Sequence, residues 1–230
     1  MTTELKNKER KRGRQQRRTN KTRQKLMQAA REIFAEKGLA TTRIDEITER
    51  ADVGKGTFYY HFPTKEVLIR ELMQSVLGEL ETGIEKRCKG IYKLDKLLDT
   101  IIQCHLEFFG NRWEDFVLFF QGRADLTLEE SYEGIETPFL RYLETIENLL
   151  DSVIKYHLSK NRLQRIACAV AGFVSGYYSF AFVADPDQDI EKTFGLMRQA
   201  LVAGLARFVR ESIPDDAPGK ISTIKDEGVS

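Results

Sequence analysis

The sequence predicts an all-α protein with a small three-helix head of the helix-turn-helix type, followed by a larger helical body. Two observations support this fold class. Apolar residues recur at helical spacing along most of the 230 residues, and no segment alternates convincingly as a strand does. Two short helical segments near one end are joined by a tight turn, which is the helix-turn-helix arrangement. We expect a flexible arm over 1–18, the head over 19–64, the body over 65–210, and a disordered tail over 211–230.

Charge is distributed unevenly along the chain. The total is only +1, but residues 1–70 contain 18 Lys/Arg and 9 Asp/Glu, whereas residues 71–230 contain 18 and 26. Residues 1–18 are polar and strongly basic, without apolar periodicity. A basic end on an acidic remainder indicates a polyanionic partner for that end. The alternative is a basic tail that only aids solubility.

The first two helices of the head follow from apolar spacing and stop signals. Leu26, Ala29, Ala30, Ile33 and Phe34 predict a helix that begins at about Thr22 and stops at Gly38. A short second helix follows, for which we expect Thr42 as the N-cap and Asp45 as the capping-box partner.

The turn and third helix complete the head. Residues 52–54 read Asp-Val-Gly, and both Asp and Gly tolerate the backbone angles of a tight turn. The third helix, about Lys55–Tyr60, is too short to be stable without packing. Pro63 ends this segment, and Thr64 can cap a helix that continues to about Cys88.

This arrangement predicts a surface for double-stranded DNA, because the last helix of such a motif enters the major groove. Lys55, Gly56 and Thr57 offer base edges a cation, an open stretch of backbone and a hydroxyl. Other side chains could reach phosphates. The complete predicted DNA-binding set is Thr42, Arg43, Lys55, Gly56, Thr57, Tyr59, Tyr60, His61 and Lys65.

The segment from Thr22 to Leu72, above all residues 53–65 (VGKGTFYYHFPTK), closely resembles the DNA-binding domain of the tetracycline-repressor (TetR) family. The resemblance covers a little over a fifth of the chain. It implies an all-helical homodimer that regulates transcription, usually as a repressor released from a palindromic operator by a small molecule. The cysteines (Cys88, Cys104 and Cys168) are scattered and form no C-x-x-C pair, so we expect buried thiols in a reducing cytoplasm. Asp52 departs from the family pattern, where Gly is most common, and Arg43 replaces a small hydroxyl residue.

The body is expected to provide dimerisation and sensing. Its helices are predicted at about 94–109, 113–121, 129–158, 161–184 and 188–210. The last two carry small residues at near-helical spacing, such as Gly172, Gly176, Ala200 and Gly204, which let helices approach closely. We interpret this pair as the homodimer interface. The alternative is the core of a monomer.

An effector would bind in the body, and the helix that starts at Thr64 would transmit its effect to the head. Aromatic residues in the body indicate a largely apolar pocket, although aromatics at helical spacing more often form ordinary core. His105 is likewise either a core histidine or a ligand anchor. The candidate effector residues are His105, Phe109, Trp113, Phe116, Phe120, Tyr142, Phe173 and Tyr177.

Other function classes receive little support from the sequence. A phosphate-binding Gly-rich loop, a G-x-S-x-G elbow and an H-E-x-x-H motif are all absent, so we expect neither catalysis nor a cofactor. No Cys or His spacing suits a metal site. We expect no membrane span and no secretory signal. A body that binds another protein, with no small effector, is the remaining alternative.

Overall fold

The computed structural model describes residues 2–110, 112–125, 136–154, 158–183 and 190–211. Within these ranges the chain folds into helices joined by turns, without strands, which confirms the predicted all-α class. In chain order the helices are α1 (Thr2–Lys37), α2 (Ile44–Arg50), α3 (Lys55–His61), α4 (Lys65–Cys88), α5 (Leu94–Phe109), α6 (Trp113–Asp125), α7 (Glu136–Val153), α8 (Lys160–Val183) and α9 (Ile190–Glu211).

The first helix is much longer than the apolar pattern indicated. α1 begins at Thr2, whereas periodicity placed its start at about Thr22, so that prediction was wrong by some twenty residues. The additional turns are rich in Arg, Lys, Gln and Glu, which have high intrinsic helix propensity. Such a helix buries no apolar face and therefore leaves no mark on the hydrophobic pattern. The expected flexibility of the arm in solution stays a prediction.

Apolar side chains hold α1, α2 and α3 together. Phe58 of α3 is fully buried and so is Phe62, which follows the helix. They share the core of the head with Leu26, Ala30, Ile33, Phe34 and Ile47, all of which are 0–2% exposed. Tertiary packing therefore stabilises α3, whose seven residues form too short a helix to persist alone.

Two left-handed residues shape the turns of the head. Gly38 follows α1 with a φ of 91°, and Asp52 lies between α2 and α3 with a φ of 54°. Gly54 has a φ of −73°, so its backbone conformation does not require a glycine. In the turn predicted at 52–54, only Asp52 has a left-handed conformation. Asp adopts this conformation more readily than most residues do.

The N-cap of α2 lies one residue later than predicted. Arg43, not Thr42, is the N-cap. Its backbone N–H donates a hydrogen bond of 2.9 Å to the carboxylate of Glu46, so Glu46 rather than Asp45 is the capping-box partner. The hydroxyl of Thr42 donates to the carbonyl oxygen of Gly38 at 2.6 Å, which ties Thr42 to the end of α1.

The contacts of the chain group it into two compact units. The first unit contains Met1–Glu81 and Glu107–Tyr142, and the second contains Thr82–Leu106 and Leu143–Ser230. The predicted boundary between residues 64 and 65 falls inside the first unit. The reason is that the start of α4 contributes Leu68, Ile69 and Leu72, all fully buried, to the same compact unit as the head.

The remaining helices lie close to their predicted positions. α5 has the predicted bounds, while α6 extends to Asp125 and α8 and α9 differ by a residue or two. The helix expected over 129–158 is described from Glu136 to Val153, and residues 212–230 of the expected tail lie outside the described residues. Of the helices described, none combines the length and hydropathy needed to cross a membrane.

Candidate nucleic-acid interface

α3 has one buried and one exposed side. The rings of Phe58 and Phe62 lie 5.8 Å apart, centroid to centroid, in the core of the head. Because these rings fix the helix, the side chains on its other side project outward in a defined orientation. Tyr59 and Tyr60 expose 49% and 75% of their surface. The exposed residues of α3 are Lys55, Gly56, Tyr59 and Tyr60, and Thr57 and His61 are partly exposed.

The backbone at the start of α3 is open to the outside. A Cβ atom built at Gly54 or at Gly56 would meet no atom within 4 Å, so packing within the chain does not require glycine at either position. Neither residue has a positive φ. A glycine that the fold does not need leaves room for an outside molecule to approach the backbone closely.

Lys55 is paired with an acidic residue of α2. Its Nζ lies 2.6 Å from Oδ1 of Asp45, and more than half of each side chain is exposed. The hydrogen bond and the charge of Asp45 raise the pKa of Lys55, with a smaller contribution from Tyr59. Any phosphate or base acceptor for Lys55 must therefore compete with the Asp45 carboxylate. The sequence indicated only a capping role for Asp45, because its pairing with Lys55 joins residues ten apart on different helices.

Several of the predicted residues line one groove. It lies where the starts of α2, α3 and α4 meet, and its lining is Thr42, Arg43, Ile44, Asp45, Lys55, Tyr59, Pro63, Thr64, Lys65 and Glu66. Arg43 is exposed there, as a phosphate-binding residue should be. Thr42 is only 2% exposed, and its hydroxyl is already bonded to Gly38, so its side chain cannot take the predicted phosphate contact without leaving that position.

Lys65 has a different arrangement from the one predicted. Its Nζ donates hydrogen bonds to three backbone carbonyl oxygens, those of Leu39 at 2.9 Å, Thr42 at 3.1 Å and Ala40 at 3.4 Å. These carbonyls belong to the turn between α1 and α2. Lys65 thus joins the start of α4 to that turn, and its ammonium group is occupied rather than presented to a phosphate.

Arg23 of α1 is a neighbour of α3 that the sequence did not reveal. Its guanidinium carbon lies 5.0 Å from the centroid of the Phe62 ring, and the same group pairs with Glu71 of α4. Burial, followed by the charge of Arg23, lowers the pKa of His61. Both effects favour the neutral form of the imidazole.

The predicted effector residues fall into both structural units. Phe109, Trp113, Phe116 and Tyr142 belong to the first, while His105, Phe173 and Tyr177 belong to the second. The side chain of Phe120 lies outside those described. His105 is fully buried, and its Nδ1–H donates to the carbonyl oxygen of Ile101 at 2.7 Å, as a core histidine would.

The aromatic side chains of the first unit pack directly on one another. Phe109 lies 5.8 Å from Phe116 and 5.5 Å from Phe119, and Phe119 lies 6.0 Å from Tyr142, each distance between ring centroids. All four are at most 3% exposed. Trp113 differs, since it exposes 39% of its surface beside Phe116. The four buried rings have the close packing of core.

Known regulators are similar to this chain in sequence or in fold. Residues 26–72 match the sequence profile described as "Bacterial regulatory proteins, tetR family". The uncharacterized HTH-type transcriptional regulator YvdT of Bacillus subtilis is 29% identical over 134 residues, covering 58% of this chain and 68% of YvdT. The HTH-type transcriptional regulator AcrR of Shigella flexneri is 28% identical over 192 residues, covering 74% and 83%.

Other matches cover less of the relative or show the fold alone. The HTH-type regulator UidR of Escherichia coli K12 is 31% identical over 91 residues, which span 40% of this chain but only 46% of UidR. A crystal structure of the regulator FadR from Bacillus subtilis in complex with stearoyl-CoA superposes with a TM-score of 0.57. It is 18% identical, and the match covers 83% of this chain and 99% of FadR.

Proposed function

We propose that the chain, whose residues 26–72 match the tetR family profile, is a DNA-binding transcriptional regulator of that family, and that it acts as a repressor with a palindromic operator and a small, largely apolar effector. The observation that carries the proposal is the exposed side of α3, where Lys55, Gly56 and Tyr59 project from a helix fixed by buried aromatics. It acts in the cytoplasm, on the nucleoid when bound.

In the proposed complex α3 enters the major groove. Lys55 exchanges Asp45 for a base acceptor, Thr57 donates its hydroxyl, and the open backbone at Gly56 lets the helix approach closely. Arg43, Tyr59, Tyr60 and His61 hold the flanking phosphates. Thr42 and Lys65 leave the contact set of the sequence prediction and position α2 and α4 instead, through their bonds to backbone carbonyls.

A homodimer presents two such heads to the two halves of the operator, about 34–36 Å apart. Both C-terminal helices, α8 and α9, have exposed faces that would form the interface of this homodimer. On α9, Leu196 and Met197 expose 67% and 53% of their surface and Phe208 exposes 38%, with exposed Ala200 and Gly204 between them. On α8, Gly172 and Gly176 are exposed, and a Cβ at either would meet no atom within 4 Å. A second copy would cover both faces.

An ion pair between a buried Asp and a partly exposed Arg links α1 to α6 inside the first unit. Oδ1 of Asp115 lies 3.0 Å from Nε of Arg31, although the two atoms lack hydrogen-bond geometry. Oδ2 of Asp115 lies 3.6 Å from Nη1 of Arg112, which in turn lies 2.7 Å from Glu79 of α4. A displacement of α6 therefore acts on both helices that support the head.

We place the effector's action at this link. Phe116 follows Asp115 on α6 and packs on Phe109, so an apolar ligand that separated these two rings would move Asp115 relative to Arg31. The effector would then act on the head through α6 as well as through α4, which was the route expected from the sequence. A coupling of roughly 1–3 kcal/mol would lower operator affinity 5–150-fold. Because FadR of Bacillus subtilis binds stearoyl-CoA, a long-chain acyl thioester is the first ligand to assay for release of the operator.

The proposed reading surface is tested by Lys55→Ala, with Lys86→Ala as a control that removes another exposed lysine, near the end of α4. Fluorescence anisotropy would measure the dissociation constants for operator DNA and for random duplex. We express specificity as the dissociation constant for random duplex divided by that for operator DNA. We expect Lys55→Ala to lower this ratio by about 10-fold or more, as the loss of a good base contact does. An unchanged ratio, equal to that of the control, would remove Lys55 from the reading surface.

A further inference from the structure

The N-terminal half of α1 carries a line of basic side chains on one face. All four are exposed, and their spacings are four, three and four residues: Arg10, Arg14, Arg17 and Lys21. At 3.6 residues per turn, these spacings place them within about 60° of one another around the helix. We call this line the basic stripe. It extends over roughly 16 Å, since each residue adds about 1.5 Å along the axis.

The basic stripe lacks neutralising partners. Residues 10–31 contain ten Lys/Arg and no Asp/Glu, and among the side chains that the structure describes no acidic group pairs with the stripe. Like charges three and four residues apart destabilise a helix, and cations near its N-terminus oppose the helix dipole. A polyanion bound along the stripe would relieve both effects.

We propose that the basic stripe binds phosphates of duplex DNA beside each operator half-site, as a contact surface additional to α3. This inference rests on the proposed function, because α1 is one continuous helix whose C-terminal half forms part of the head. The stripe lies on the face of α1 opposite to Leu26 and Ile33, which are buried in the core of the head. Its cations are therefore free for an outside partner. Long Lys and Arg side chains bind phosphates without reading sequence, so the stripe adds affinity rather than specificity.

Duplex DNA suits this surface better than a lipid membrane does. Residues 10–21 (RKRGRQQRRTNK) contain no apolar side chain, whereas helices that lie on membranes insert an apolar face. Duplex DNA carries one negative charge per roughly 1.7 Å of its axis, counting both strands, so a duplex segment as long as the stripe carries about nine phosphates. The stripe and the DNA backbone therefore match through dense opposite charge and not through apolar contact.

Two double variants of the full-length chain test the inference. Arg10→Gln/Arg14→Gln removes two charges from the stripe, and Lys11→Gln/Arg12→Gln removes two charges from the same turns but from other faces of the helix. The dissociation constant is measured for an operator duplex with and without flanking base pairs, at salt concentrations from about 50 to 200 mM. Thermal unfolding of each variant checks that the fold is intact.

We expect the stripe variant to lower the magnitude of the slope of log K against log[salt] by roughly 3 to 4, since a dimer loses four phosphate contacts and each contributes about 0.9. The control variant should lose less than half of this. Flanking DNA should strengthen binding by the wild type and by the control but not by the stripe variant. The ratio of specific to random binding should stay at the wild-type value, which separates this inference from the proposed function.

Other outcomes overturn the inference. Equal losses in the two variants mean that the segment acts as a charged tail without a preferred face. Unchanged slopes in both mean that it does not contact DNA. If the variants bind DNA like the wild type and the stripe variant alone loses affinity for vesicles of phosphatidylglycerol, the partner is a membrane. Failure of the proposed function would appear differently, as a wild-type protein with no preference for any duplex sequence.

Discussion

At the scale of single residues, the interface depends on what the fold leaves open. Gly56 is exposed, and a Cβ there would meet nothing within 4 Å, so the folded chain has no need of glycine. Glycine within a helix is less stable than alanine by roughly 0.5–1 kcal/mol. Under the proposed function, glycine at this position would let DNA approach the backbone closely.

Gly56→Ala should therefore raise the free energy of unfolding by up to about 1 kcal/mol and weaken operator binding about tenfold. Gly83→Ala is the matched control, because Gly83 is an exposed glycine in α4 whose Cβ would also meet nothing. Urea unfolding and anisotropy titrations measure the two quantities. A Gly56→Ala protein that binds the operator like the wild type would show that DNA does not approach this backbone.

His105 predicts a dependence of stability on pH. Burial lowers its pKa from 6.5 to about 4, so the folded chain stays neutral there while the unfolded chain takes up a proton below pH 6.5. His105 therefore has no effect above pH 6.5 and removes stability as the pH falls from 6.5 towards 4. Between pH 7.5 and 5.0 the wild type should lose about 2 kcal/mol more than His105→Gln. Urea unfolding at the two pH values measures the free energy of unfolding of both proteins. If the wild type and His105→Gln lost the same amount, His105 would not be buried and neutral in the folded chain.

The sequence predicted many of the site's residues but not their partners. The motif over 53–65 located Lys55, Gly56 and Tyr59, which are exposed in the structure. It could not show that Lys65 is bonded to the carbonyl oxygen of Leu39, 26 residues earlier, or that Asp45 pairs with Lys55. Such pairings depend on how helices meet, whereas periodicity reports only which face of each helix is buried.

At the scale of elements, helices with a buried apolar face were predicted well and a helix without one was not. The bounds of α5 match the expected 94–109 because its apolar residues keep helical period throughout. The first twenty residues of α1 have no such period, and only their intrinsic propensity indicates a helix. The pattern of small residues in α8 was interpreted as one interface, but the structure divides it between a buried and an exposed side. Ala167 and Ala171 are buried, whereas Gly172 and Gly176 face outward.

The exposed side of α9 gives a prediction about assembly. Gly204 is exposed between Ala200 and Phe208, with open space around it, so Gly204→Glu should leave the fold of the subunit intact. In a dimer interface the same substitution buries an unpaired charge, and we expect it to shift the protein from dimer to monomer at micromolar concentration. Sedimentation velocity measures this, with Gly83→Glu as a control that should remain dimeric. A Gly204→Glu protein that stays dimeric would place the interface elsewhere.

At the scale of the whole molecule, the separation of charge is the one that the proposed function requires. The surplus of basic residues in 1–70 belongs to the segment that contains α3 and the basic stripe, and the acidic surplus belongs to the remainder. Dimerisation would double the basic surface and set the two heads at one spacing, so a repressor of this kind should select paired half-sites. A protein that bound DNA only through its charge would select none.

Selection of bound duplexes from a random pool by the full-length protein tests the central claim most directly. The account predicts enrichment of an inverted repeat whose half-site centres lie about one helical turn apart, roughly 34–36 Å, or a multiple of that distance. Sequencing of the recovered DNA reports the motif, and a competition assay with the scrambled motif measures the preference. Recovery of a pool without any enriched sequence would contradict the account.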